Sequence, residues 1–545
     1  MMKNMNTRSR RSFLKTLAGG SAAALSGLPL AMLPRGVNAM APGFGDYKAL
    51  VCVMLLGGND AHNMLIPTSP TDYADYVAGR GDMGVALNPL AKSGLNDGTM
   101  GNGSNNPYRV GIGDSLTSAE EAYLNGYYDI GHDLGVNAVM PELAQLLDDN
   151  KASIIANCGA LVEPGATRAT VANASAKLPL FLFAHNHQQR IIYTGQSDNL
   201  RSAGWAGRIA DNWTGINGGS LLGLNVSYFG NLRLMIGDET SPLYLQGTPG
   251  SYKRFLGHDQ NPLQEDRRAL FQALTGLSGR ATPRLDFGPE RVYAPGDPFK
   301  SLYNRLSTTS LESSENLVQT WAENDPVYTS TDPYGQPLFS VPTANDLGFH
   351  SGIKGNLIGQ LNNVAKMIYL SKNSKFPSTF NRQIFLVAMG GFDTHSDQLG
   401  QHPSLLRELS LGLWSFQKAM EDLGLNNNVM SFTMSDFGRT LQRNGDGTDH
   451  AWAGHHLVMG GDGSGAAGTL NGGQMFGRVP SYKMGKDDDM EASGRFIPDI
   501  GQDQINASLC NWFGVDEALM PTIFPNITKF QSGNSLDTAY LPLFG

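Results

Sequence analysis

Five short apolar runs set the architecture: KALVCVMLL (48–56), ASIIA (152–156), QIFLVAM (383–389), VMSFTM (429–434) and HLVM (456–459). None alternates apolar with polar residues, and strands without alternation are those covered on both faces. Helical patterns lie between them. In KGNLIGQLNNVAKMIYLSK, Leu357, Leu361, Val364 and Ile368 recur at helical spacing, and Leu406, Leu409, Leu413, Phe416 and Met420 follow the same rhythm, with Ser404 after Pro403 as the expected N-cap. Strands alternating with such helices predict an α/β fold, a three-layer sandwich with a mostly parallel central sheet. Loop-rich insertions are expected at about 81–115 and 215–345, where Gly, Asn and Pro punctuate the chain, so residues 40–545 read as a single domain.

The first 39 residues read differently. Arg10 and Arg11 sit in an S-R-R-x-F-L-K context, an Ala/Gly/Leu run follows, and Val37-Asn38-Ala39 offers a small-residue cleavage site. A basic start, an apolar middle and an A-x-A-like end make a secretory signal, and the paired arginines make it twin-arginine (Tat) type. The apolar run is broken by Gly and Pro and is short for a bilayer span. The expected partner is therefore the Tat translocase during export, the expected location periplasmic or extracellular, and no stable membrane anchor is expected. The Tat route carries folded proteins, which suits a metal loaded before export.

The signal carries six basic residues (Lys3, Arg8, Arg10, Arg11, Lys15, Arg35) and no acidic ones. The remainder holds 34 Lys and Arg against 49 Asp and Glu, a net charge near −15. So acidic a chain is a poor partner for nucleic acid or an anionic membrane. Three cysteines, Cys52, Cys158 and Cys510, give no disulfide framework, and Cys52 reads as a buried small hydrophobe.

In open α/β sheets ligands bind outside the carboxyl ends of strands. Three such ends here carry the polar residues: Asn59, Asp60, His62 and Asn63 after the first run; Asp393, His395 and Asp397 after the third; Asp436 and Arg439 after the fourth, followed by Asp449, His450, His455 and His456. Aspartate and histidine suit a divalent metal, Zn²⁺, Mn²⁺, Mg²⁺ or Ca²⁺. Two such ions about 4 Å apart would clamp an in-line displacement at phosphorus or sulfur. Adjacent histidines on a strand face opposite sides, so at least one of His455 and His456 is expected to be structural. Arg439 could hold an anionic substrate through a guanidinium fork, or pair with a neighbouring acid.

The motifs LLGGNDAHNMLIP, SIIANCGALVEP, GGFDTHSDQ, SDFGRT, GTDHAWAGHHLVMGG and CNWFGVDEALMPTIFPNI together resemble the exported DUF1501 family, whose fold is similar to the alkaline phosphatase/sulfatase superfamily. The resemblance implies an alkaline phosphatase-like fold and a metal-dependent hydrolase of phosphate or sulfate esters, small or polysaccharide. Its ligands would be Asp60, Asp393 with His395 or Asp397, Asp436 and His450. The alternative is a catalytically inactive binding or cell-surface assembly protein with a structural metal. Three departures stand out. The second ligand element is D-x-H rather than D-x-x-x-H, and Phe437 follows Asp436 where histidine is usual. Ala184 also replaces a serine in Ala184-His185-Asn186-His187-Gln188-Gln189, leaving the nucleophile unidentified and making His187 a candidate ligand.

Overall fold

The computed structural model describes residues 43–90, 119–200, 202–217, 223–230, 232–245, 317–333, 335–342, 353–376, 379–533 and 535–545. The signal sequence at 1–39 and most of the expected 81–115 insertion lie outside them. Nine strands form one sheet: β1 (Lys48–Leu56), β2 (Ala152–Gly159), β3 (Asn225–Ser227), β4 (Leu243–Tyr244), β5 (Arg382–Gly390), β6 (Val429–Ser435), β7 (Gly454–Met459), β8 (Met475–Phe476) and β9 (Ile500–Gly501). Their order is β8-β2-β7-β6-β1-β5-β3-β4, with β9 also on β2. All pairings are parallel except those of β7, which runs antiparallel to β2 and β6.

The four helices that matter for the site or the core are α1 (His185–Thr194), α2 (Asn356–Lys372), α3 (Gln398–Asp422) and α4 (Gln502–Phe513). The absence of alternation in β1 now has its cause. Ala49, Val51, Val53 and Leu55 enter one core cluster with residues of α2 and α3, whereas Leu50, Cys52 and Met54 enter another with residues of α4. Both faces of the strand are covered by helices, which gives three layers. Each fully buried Leu, Val or Phe contributes about 1.5–3 kcal/mol, so the central strands anchor everything their ends carry. The three cysteines are buried and unpaired. No helix among the described residues is long and apolar enough to cross a membrane.

Two expectations need correction. The region read as an excursion from about 215 contains β3 and β4, which extend the sheet past β5; strands of three and two residues are too short to leave a periodic signal. And α3 begins at Gln398, not after Ser404, running through Pro403. Proline removes one backbone bond near the start of the helix. Buried tertiary bonds offset that loss: Gln398 reaches Asp60, and His402 reaches Asn59 and Tyr123.

Candidate metal centre

The ends of β1, β5 and β6 are brought together by glycine. A Cβ on Gly57 (φ +116°) would stand 2.4 Å from the Asp393 amide nitrogen, and one on Gly58 (φ +83°) 2.7 Å from the Phe437 ring. Only residues without a side chain allow backbones this close, in a conformation L-residues avoid. The Gly57 amide also donates to Asp436 Oδ2 at 3.2 Å. Three strand-end loops therefore share one small volume.

His185, the first residue of α1, points into that volume. Its Nδ1 donates to Asp436 Oδ2 at 2.7 Å, and its Nε2 lies 3.3 Å from Asp393 Oδ1 without hydrogen-bond geometry, so it is a buried nitrogen with no partner. His450 is held similarly: Nδ1 donates to the Phe183 carbonyl at 2.8 Å, and Nε2 stands 3.3 Å from the same Asp393 oxygen. Among the described residues, His185, Asp393 and His450 form a group whose ligand atoms all lie within 4.8 Å of one another.

The tautomers follow from the partners. A carboxylate and a carbonyl only accept, so both Nδ1 atoms carry hydrogen, and in the neutral imidazoles both Nε2 atoms carry lone pairs. Those lone pairs and the Asp393 carboxylate face one another at contact distance. Only a positive charge between them, a proton or a metal ion, relieves that arrangement. Orientation of ligating histidines through the far nitrogen, by a carboxylate or a carbonyl, is how metal sites fix their ligands.

The electrostatics agree. Donation to the Asp436 carboxylate raises the pKa of His185, while burial lowers that of His450. Partial burial pushes the Asp393 carboxyl up, but the Arg439 guanidinium on Oδ1 outweighs it and leaves the group at about 2, a carboxylate at any neutral pH. His395 Nδ1 lies 2.8 Å from the same oxygen and accepts from the Arg439 guanidinium at 3.5 Å, and its ring packs 4.5 Å from that of His450.

The remaining candidates are placed as follows. Asp436 is 2% exposed and accepts from His185, Gln189 (2.9 Å) and Gly57 through Oδ2, which orients His185, while its Oδ1 is buried without a partner. Asp60 lies outside the cluster. It caps Ala61–Met64, pairs with buried Arg80 at 2.5 Å and accepts from Gln398 at 2.5 Å. Gln398 in turn accepts from Thr394 and Thr448, so Asp60 braces the segments that carry Asp393 and His450. Of the two readings of Arg439, the structure has the pairing with a neighbouring acid rather than a free anion-binding fork. Its N–H groups go to the carbonyls of Gly57, Gly58, Phe392 and Thr448 and to Asp393, and its side chain is fully buried.

Asp397 is exposed at the start of α3, where its amide donates to Asp446. His187 stacks on Phe181 with centroids 4.3 Å apart, and its neighbour but one, His185, joins the cluster instead. His455 accepts from the Asn157 amide at 3.1 Å, and burial pushes it and His456 down to about 4. Both line a closed cavity of about 10 Å³ behind Asp436, about the room one water needs.

His185 was not singled out from the sequence as a ligand, although a signal for it exists. His185 and Gln189 are four apart on one helix face and reach the same carboxylate. Ala184, which precedes them, supplies no side-chain cap and no hydroxyl.

Residues 380–494 match the model of a family described as "Protein of unknown function (DUF1501)". That span holds Asp393, Asp436 and His450 but not His185. No curated protein matches the chain.

Proposed function

Because the chain belongs to the DUF1501 family, whose description assigns no activity, we propose from the site itself that it is an exported metal-dependent hydrolase of the alkaline phosphatase/sulfatase type, acting on phosphate or sulfate esters. The observation that carries this reading is the convergence of His185 Nε2, His450 Nε2 and an Asp393 carboxylate oxygen, with both imidazoles held from behind. Two imidazoles and one carboxylate suit Zn²⁺ or Mn²⁺ better than Mg²⁺ or Ca²⁺, which prefer all-oxygen sites. When bound, such an ion supplies Lewis acidity to an ester oxygen and to an attacking water.

The protein's own contribution is positional. Asp436 and the Phe183 carbonyl keep both Nε2 atoms aimed at one point, and Asp60 through Gln398 locks the loop and strand behind them. His395, 42% exposed and beside the Asp393 carboxylate, is the side chain we assign to move a proton at the leaving group. With alanine at 184, attack is assigned to water rather than to a serine.

A second reading rests on that same alanine. A chain without a nucleophile, with Arg439 committed to backbone carbonyls, would serve as a binding or surface-assembly protein whose ion is structural. Metal analysis of the exported protein, purified without chelator beside His185→Ala, Asp393→Ala and His450→Ala, tests the centre. Near-stoichiometric metal in the wild type, lost in all three folded variants, supports it. Turnover of aryl phosphates or aryl sulfates then favours the hydrolase. A metal-loaded protein that is inert toward them and melts on chelation favours the second reading, and a folded wild type that takes up no metal sinks both.

A further inference from the structure

A groove of about 810 Å³ opens between α2, α3 and the end of β5. Its floor is Ala388–Gly391, the end of β5, and the chain continues from there through Phe392 into Asp393. One wall is the first turn of α3 at Gly400 and Gln401, directly after the loop that carries His395; the other is the first half of α2. Gly391, the last lining residue of this strand end, lies two positions before Asp393.

Two glycines in this lining are unexplained by packing. Gly359 sits inside α2 and Gly390 at the end of β5. Neither has positive φ, and a Cβ on either would meet nothing within 4 Å. Glycine is disfavoured in a helix interior, and close contact with a neighbouring backbone does not require it here. What it preserves is open space on the groove side, where a ligand can approach main chain.

The chemistry of the lining narrows the occupant. Charge is sparse: Glu408 is committed to the start of α2, accepting from the Gly355 and Leu357 amides, which leaves Lys354 as the charged side chain facing outward. Asn356, Gln401 and Ser404 offer neutral hydrogen-bonding groups, and Phe229, 37% exposed, offers an apolar face. An acyl chain would bury these polar groups unsatisfied, which is costly. A peptide adding to the sheet finds the edge closed at Ala388, because the Gln360 amide already takes both its N–H and its C=O, at 3.0 and 2.9 Å. A ring bearing many hydroxyls on its rim and C–H groups on its faces meets this mixture, and an anionic substituent on it meets Lys354.

We propose that this groove is the subsite for the glycan part of an anionic oligosaccharide ester, laid along β5 with its reacting group toward Asp393. The substrate class rests on the hydrolase reading; the binding site itself does not. Calorimetric titration of the full-length, metal-loaded protein with a panel of sulfated and phosphorylated glucan, galactan and uronan di- to tetrasaccharides, beside their unsubstituted parents, tests it. Binding should tighten with length. Gly359→Trp, which fills open space on an exposed helix face, should weaken the best tetrasaccharide about tenfold or more while metal content and melting temperature stay at the wild-type level. Lys354→Ala should erase the preference for substituted over parent sugar.

The same titration on His185→Ala separates the two ideas. Binding that survives there, with no ester hydrolysed by the wild type, keeps the groove and removes only the hydrolase. Failure of every sugar in the panel to bind, or equal affinity in wild type and Gly359→Trp, overturns the inference.

Discussion

Asp436→Asn is the substitution that separates a residue holding a ligand from a ligand. In the structure Asp436 Oδ2 receives three donors, of which the His185 Nδ1–H at 2.7 Å is the shortest, and the side chain is 2% exposed. Asparagine has nearly the same shape and keeps one acceptor, so Gly57 and Gln189 lose little. His185 loses a charged partner and keeps a neutral one, which about halves the strength of that bond. Partners of this kind are typically worth 10–100-fold in metal affinity, about 1.4–2.7 kcal/mol. The assay is competition for Zn²⁺ between the folded protein and a chromophoric chelator at fixed neutral pH, with circular dichroism to establish folding. The expected result is a variant that still binds one ion, weakened within that range, whereas His185→Ala binds none. An unchanged affinity would refute the orienting role. Complete loss of metal would refute the geometry from the other side, making Asp436 a direct ligand.

Further tests concern the frame of the site. Asp60→Ala leaves the Arg80 guanidinium buried without its acid, a loss of about 3–5 kcal/mol; the chain should melt far lower, and what remains folded should keep its metal, whereas metal loss without destabilisation would restore Asp60 as a ligand. Gly57→Ala places a methyl 2.4 Å from the Asp393 amide nitrogen at a φ of +116°, so it should cost both stability and metal, read by melting and metal analysis together; a variant equal to wild type in both would show that the strand ends need not approach. His402, His455 and His456 are held near 4 by burial, below the ordinary 6.5. Between those values the unfolded chain binds more protons than the folded one, so their stabilisation is complete above 6.5 and falls away as pH drops toward 4. Urea midpoints of the metal-free protein at pH 7 and pH 5 should show that loss, and His456→Gln should reduce the difference; an unchanged difference would contradict it.

The framework was legible because burial on both faces leaves a signature no other environment writes. Runs such as ALVCVMLL need apolar neighbours above and below, and the strands fall where those runs are. The cluster was legible only in part. Asp393 lies just past the end of β5 and His450 ends the short strand Thr448–His450, positions that a one-dimensional reading can single out. His185 comes from a helix that is distant in sequence, and only the fold shows which of His185 and His187 faces inward. Arg439 stayed open between two readings for a related reason: a sequence shows a charge but not the acid and the four carbonyls that surround it. Pro403 argued for a later start to α3, but hydrogen bonds from Gln398 and His402 to residues far away in the chain outweigh a single missing amide.

The three side chains of the cluster enter from α1, from the loop after β5 and from the short strand Thr448–His450 before β7, and one of them lies outside the segment that matches the family. No contiguous piece of the chain carries the centre. If the proposed centre holds an ion, its retention would be a certificate of completed assembly, because the three side chains meet only after remote parts of the polypeptide have closed together. On the proposed export of a folded chain, loading would then precede departure, and one atom would distinguish a finished molecule from an unfinished one.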